Sequence, residues 1–204
     1  MDDEPAAAAV APPSVPALPG VRGLLALVRE DLVTHHRDPR SPGFQALLAH
    51  RLARAAGRLP PGRLRAVTVS VCRLLQRCVI SRFGIYLALS AQIGRHVYIP
   101  HEGGVAVHAG SIVGDDCWLR QRSVVASKDD GHAAVLGRDV RLGAGAVVMA
   151  GVTVGDGVRV GPNAVVTTDV AAGATVMPPR TTMGRSPAAS AGESAIGGAN
   201  VLSD

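Results

Sequence analysis

The chain is poor in aromatics: two Phe, two Tyr and one Trp among 204 residues, 2% in all. Its core must therefore be built from Val, Ala, Leu and Ile, which suits thin stacked layers better than a thick globular interior. With so few rings there is also little on which nucleic-acid bases could stack, so no nucleic-acid partner is expected. Cysteine is sparse and odd in number, at Cys72, Cys78 and Cys117, with no metal-ligand spacing. Neither a disulfide framework nor a metal is expected, and a reducing, cytoplasmic setting is. No apolar run reaches membrane-spanning length, and the Met1-Asp2-Asp3-Glu4 start is acidic where a secretory leader is basic. Acid is otherwise in the minority: 16 Asp and Glu stand against 21 Lys and Arg, a net charge of +5. That excess suits an anionic small molecule as partner.

What the chain does have is a rhythm of six. Leu136, Leu142, Val148, Val154, Val160 and Val166 stand six residues apart. A second apolar register runs four residues on, through Val140, Ala146, Val152, Val158, Ala164 and Val170, and glycine follows the first at Gly137, Gly143, Gly155 and Gly161. A period of six matches neither a helix nor a flat strand. It predicts a β-solenoid, in which each hexad makes one side of a coil and stacked coils bury a continuous aliphatic column. The rhythm starts earlier, at Ile93, Ile99, Val107, Val113, Leu119 and Val125, and breaks twice. Eight residues separate Ile99 from Val107 and eleven separate Val125 from Leu136. Insertions in a solenoid emerge as loops, where function gathers. Each of these carries a histidine: His101 beside Glu102-Gly103-Gly104, and His132 after Lys128-Asp129-Asp130-Gly131.

Upstream, residues 1–19 are Ala/Pro-rich and read as a disordered arm. From Val21 the apolar spacing turns helical until Pro39 and Pro42; a second helix is predicted from about Phe44 to Gly57 and a third from about Leu64 to Ile80. In the third, Val67, Val71, Leu74, Leu75 and Cys78 are expected to face inward, with Arg65, Arg73 and Arg77 outward. Such a basic amphipathic helix suits a membrane surface or packing within a small helical domain; packing is favoured and no membrane partner is expected. The coil ends at Ala171-Ala172-Gly173, and residues 185–204 read as a disordered tail. The predicted organisation is α+β: an arm (1–19), a helical domain (20–83), the β-helix (84–184) and the tail (185–204).

These elements carry a resemblance. Ala91-Gln92-Ile93-Gly94-Arg95, the block from His101 through Gly104-Val105-Ala106-Val107-His108, Ile112-Val113-Gly114-Asp115-Asp116-Cys117 and Leu142-Gly143-Ala144-Gly145-Ala146 follow one another in order. Arg29-Glu30-Asp31 and Arg37-Asp38-Pro39 precede them, and Pro178-Pro179-Arg180 closes the run. Together they resemble the left-handed β-helix (hexapeptide-repeat) acyltransferases, specifically the serine O-acetyltransferase branch. The resemblance implies a left-handed parallel β-helix assembled as a homotrimer, with a hexamer of paired trimers as the alternative. It implies acetyl-CoA as donor at a subunit boundary, and transfer to the hydroxyl of L-serine or a similar small amino acid, as in cysteine biosynthesis. It places the general base at His101, a second, acceptor-side histidine at His132 and an acceptor-binding aspartate at Asp38. The chemistry fits, since an alcohol is a weak nucleophile until a base of near-neutral pKa takes its proton. Gly103 and Gly104 are candidate backbone donors to the developing oxyanion. For the donor, Ala144, Gly145, Ala146 and Gly161 sit where small residues admit a ligand to the backbone, and Lys128 and Arg180 are candidates for its phosphates.

Three positions depart from the pattern. The aspartate that orients the catalytic histidine falls at Tyr86, the aspartate just before that histidine at Pro100, and the arginine before the second histidine at Gly131. A tyrosine supplies no negative charge at pH 7, and loss of the orienting carboxylate should cost rate. Glu102, Asp129 and Asp130 are the neighbouring carboxylates available as substitutes. Two further readings therefore stand beside the first: an acyltransferase acting on a sugar or secondary-metabolite hydroxyl or amine, and a degenerate, non-catalytic trimer.

Overall fold

The computed structural model describes residues 20–101, 103–128 and 132–179. The expected arm and tail, Arg180, and the loop residues Glu102, Asp129, Asp130 and Gly131 lie outside the described residues. Three helices come first: α1 (Val21–Thr34), α2 (Pro42–Ala56) and α3 (Arg63–Phe83). Pro42 opens α2 at its first turn, where its missing N–H costs nothing. Gly84, at φ 67°, closes α3 with its N–H on the Ile80 carbonyl.

Thirteen two-residue strands follow, β1 (Tyr86–Leu87) through β13 (Thr175–Val176). They form three parallel sheets: β1-β3-β6-β9-β12, β10-β7-β4-β2 and β13-β11-β8-β5, here faces A, B and C. With the isolated bridges at Tyr98 (face C) and Val170 (face B), the chain visits the faces in the order A, B, C and begins again, so each coil is one turn of a triangular prism, a left-handed parallel β-helix. The pairs Val147↔Val165 and Arg141↔Arg159 show the undisturbed coil of 18 residues, three hexads. Tyr86↔Ala106 spans 20 residues and Val124↔Val147 spans 23, so the two breaks in the rhythm are inserted corners.

Each strand presents its first residue outward and its second inward. The inward set, which includes Ile93, Val113, Leu136 and Val154 on face B, forms one continuous core with the second register at the corners. No ring is needed inside because facing walls of so thin a prism meet through Val and Leu.

The helical layer is tied to the first coil by buried charge. Arg51 is 1% exposed; its guanidinium pairs with Asp31 at 3.2 Å and donates to the carbonyls of Ile93 and Gly94 at 2.5 Å. Burial pushes the Asp31 carboxyl up, against the pull of Arg51. At the rim, Arg95 hydrogen-bonds Glu30, which holds the Glu30 carboxyl below its ordinary value.

One expectation is reversed. Val67, Val71 and Leu74 of α3 are 62%, 51% and 61% exposed, and Leu75 and Cys78 are exposed as well. The helix instead turns in Val69 and Cys72 against α2 and Leu89, with Val79 and Phe83 on the coil core. Among the described residues, no helix is long and apolar enough to cross a membrane.

Candidate active site

Stacking turns each corner of the coil into an edge running the length of the prism. On the edge between faces C and A, the Arg122 N–H donates to the Gly103 carbonyl, Gly145 to Gln121 and Asn163 to Ala144. The corner holding His101 is the first step of this column, and the corners holding Ala144-Gly145 and Gly161 lie below it. One edge thus unites the expected base with three of the expected donor-binding positions.

The helical layer fixes the His101 corner from above. His35 is buried, and its Nε2 accepts the Ile99 N–H at 3.3 Å while its Nδ1 meets the Asp31 carbonyl at 2.8 Å. Accepting at Nε2 requires the proton on Nδ1, and burial keeps the ring neutral by lowering its pKa. Gly43 lies against the same residue: a Cβ there would stand 2.3 Å from the Ile99 carbonyl oxygen. Two residues on, exposed His101 lines a cavity of about 370 Å³ with Thr34, His36, Tyr98, Pro100, Trp118 and Arg120. Tyr98 and His36 share a 3.1 Å hydrogen bond, and Tyr98 meets Trp118 edge-on at 5.1 Å between ring centres. Two of the chain's five aromatic residues thus meet beside His101.

A second groove, of about 280 Å³, continues down face C from Trp118 and Arg120 past Arg141 and Arg159 to Gly161 and Pro162. The Arg141 guanidinium sits 4.8 Å over the Trp118 ring. Three arginines beside a glycine corner suit a phosphorylated donor.

These positions escaped the sequence reading. Tyr98, Trp118, Arg141 and Arg159 are 20, 23 and 18 residues apart, and the coil stacks them into one column. An outward register read at the coil length, corrected for the two insertions, is the signal that finds them.

Other expected residues fall elsewhere. His132 and Lys128 lie on the edge between faces A and B, the Lys128 N–H closing its loop on the His132 carbonyl at 2.9 Å. His132 does not line the His101 cavity within one chain. Asp38 is exposed, does not line the cavity, and accepts the Arg40 N–H at 2.8 Å. Ala146 points inward at 0% exposure, and its N–H and carbonyl are taken by Gly143 and Val124. Gly145 has a structural reason to be glycine: φ is +71° and a Cβ would reach 2.2 Å from Asn163 Oδ1. The Gly103 N–H is committed to the Phe83 carbonyl at 2.8 Å, which leaves Gly104 as the candidate oxyanion donor.

Residues 133–168 match the bacterial transferase hexapeptide (six repeats) family. A serine acetyltransferase of Helicobacter pylori is 34% identical over 142 residues, covering 67% of this chain and 77% of that protein. The chain belongs to the serine acetyltransferase family. A serine acetyltransferase of Synechococcus elongatus is 33% identical over 139 residues, and there the chain spans only 54% of the relative's length. A solved serine acetyltransferase in complex with CoA has the same fold, with a TM-score of 0.63 at 22% identity, covering 78% of this chain and 68% of that one.

Tyr86 lies on the first coil, at the position where the resemblance places an orienting aspartate. The ring stands on β1, 42% exposed, and meets His108 edge-on at 6.0 Å. It offers a phenol where the resemblance places a carboxylate.

Proposed function

We propose that the protein is an acetyl-CoA-dependent O-acetyltransferase acting on the hydroxyl of L-serine, with His101 as general base. The observation that carries this reading is the single edge on which His101, its cavity and the small corners Ala144, Gly145 and Gly161 lie in line. The relatives named serine acetyltransferase, one of them solved with CoA, support the donor and the acceptor. In this reading His101 takes the hydroxyl proton as the oxygen attacks the thioester carbonyl. The C–O bond forms, the tetrahedral intermediate's charge is met by backbone N–H, and the C–S bond breaks. The departing thiolate recovers the proton from His101. Arg120, Arg141 and Arg159 would hold the donor's phosphates, a role taken over from Lys128 on the other edge. Chains work as trimers, which lets a partner's His132 complete the acceptor side.

Tyr86 favours a second reading of the acceptor. With no carboxylate at that position and with Tyr98, Trp118 and His36 walling the cavity, a bulkier sugar or secondary-metabolite hydroxyl also fits. One assay separates the two. The protein is given acetyl-CoA with L-serine, then with amino alcohols and sugars, and free thiol is followed. Release with serine that falls about 10²–10⁴-fold in His101→Ala supports the first reading. Release with other hydroxyls alone moves the assignment to the second, and no release with any acceptor removes both.

A further inference from the structure

The outer side of α3 is an apolar face with nothing packed on it. Leu64, Val67, Val71, Leu74, Leu75 and Cys78 are all exposed there. At about 100° per residue their side chains share an arc of about 100°. Val69, Cys72 and Gln76, which turn toward α2 and the first coil, occupy the opposite side of the helix.

Charge runs beside the stripe. The helix carries five arginines and no acidic residue. Arg65 is half-buried and Arg82 stacks over the Phe83 ring at 5.5 Å, but Arg63, Arg73 and Arg77 are exposed. Among the described residues, none of these three guanidiniums has a hydrogen bond or an ion pair. All three fall on the same flank of the stripe, so the face is apolar along its crest and cationic along one side.

That combination decides what covers it. Two α3 helices laid stripe to stripe would set arginines against arginines, and no acidic residue between Pro39 and His101 offsets them. A coiled-coil partner fits poorly too. Leu64, Val67, Val71, Leu74 and Cys78 keep the three-four spacing for only two heptads, and Leu75 widens the stripe beyond such a seam. An anionic bilayer surface meets both halves at once, with acyl chains for the crest and phosphates for the flank.

We infer that α3 docks the protein, lying flat, on a membrane surface rich in anionic phospholipid. The helix rests in the headgroup layer and is not long and apolar enough to cross it. No residue of the stripe lines the His101 cavity or the face C groove, so docking is separate from the proposed reaction.

The test is flotation of the full chain with two kinds of vesicle: phosphatidylcholine alone, and phosphatidylcholine with phosphatidylglycerol in equal parts. Wild type, Val67→Ser/Leu74→Ser and Arg73→Gln/Arg77→Gln are compared, with circular dichroism as the check on folding. Wild type should float with the mixed vesicles alone, and each double variant should bind at least about tenfold more weakly. If the first variant does not fold, Leu64→Ser/Val71→Ser repeats the test on the same stripe. Absence of wild-type flotation, or equal flotation on phosphatidylcholine alone, overturns the proposal. Flotation that survives Val67→Ser/Leu74→Ser puts the lipid contact elsewhere and overturns it as well. Light scattering that finds wild type at twice the mass of that variant makes the occupant a second copy, with the same consequence.

Discussion

At the scale of single residues, buried polar side chains differ in whether they find partners. Arg51 and His35 each find partners in the first coil, Arg51 on the Ile93 and Gly94 carbonyls and His35 on the Ile99 N–H, two residues before His101. His50, next to Arg51 on α2, is 0% exposed, and neither ring nitrogen has a hydrogen-bond partner among the described residues. Burial, then the charges of Arg51 and Arg54, push its pKa down to about 3. The sign of the linkage follows. Below about pH 6.5 the unfolded chain binds a proton at this residue that the folded chain refuses, so stability is full above that pH and is lost as pH falls toward 3. By pH 5 the loss is about 2 kcal/mol. His50→Phe should remove this component, so urea midpoints of wild type should fall more steeply between pH 7 and pH 5 than those of the variant. Parallel pH dependences would show that the ring is not held neutral in the fold.

At the scale of elements, the coil is a stack of corners, and its glycines are set by the coil beneath. A Cβ on Gly114 would stand 2.3 Å from the Gly137 carbonyl oxygen, backbone against backbone with no side chain to yield. Gly157 is different: it occupies a corner at φ +71°, and the stacked positions above it are filled by His96, Asp116 and Asp139 at φ 54°, 60° and 50°. That corner accepts a side chain in the left-handed region, and a Cβ on Gly157 meets only Gly173 at 4.0 Å. Gly114→Ala should therefore cost upwards of about 3 kcal/mol, and Gly157→Asn under about 1 kcal/mol. Chemical denaturation of the two variants checks this, and a reversed order would refute the stacking argument. The same logic explains what could be read from the sequence. In a solenoid nearly every residue reports its own burial at a fixed period, so Leu136 to Val166 declared the core and the two breaks declared the inserted corners. The inward face of α3 was hidden because that helix has two stripes at helical spacing. One runs through Leu64, Val67, Val71, Leu74 and Cys78, the other through Val69, Cys72, Gln76, Val79 and Phe83. The weaker stripe faces in, because the turn at Gly84 leads directly into β1 and so fixes the roll of the helix. The aromatic and arginine column of face C was hidden for another reason: insertions change its spacing, and only the folded coil aligns it.

At the scale of the whole molecule, the three faces differ in what they offer water. Face A presents Tyr86, Ala106, Val124, Val147 and Val165 in one stacked column, with Val165 55% exposed and no charge among them. Face C presents Trp118, Arg141, Arg159 and Thr175 instead. An uncharged apolar column of this kind calls for a cover, and a second and third copy of the chain can provide it by closing three A faces around a threefold axis. Face A is bounded by two edges, one carrying His101 and the other His132. In such a ring each chain's His101 edge lies beside the next chain's His132 edge, which reconciles two histidines that a single chain keeps apart. Val147→Glu should convert a trimer into monomers by light scattering and lose acetyl transfer with it; a monomeric wild type would refute the arrangement. A sharper test uses two inactive chains. His101→Ala and His132→Ala, co-expressed, form mixed trimers in which some interfaces carry one intact histidine from each neighbour. For random assembly roughly a quarter of the sites are complete, so roughly that share of wild-type turnover should return. If each site is built within one chain, every site in the mixture lacks a histidine, and the mixture stays as inactive as its parents.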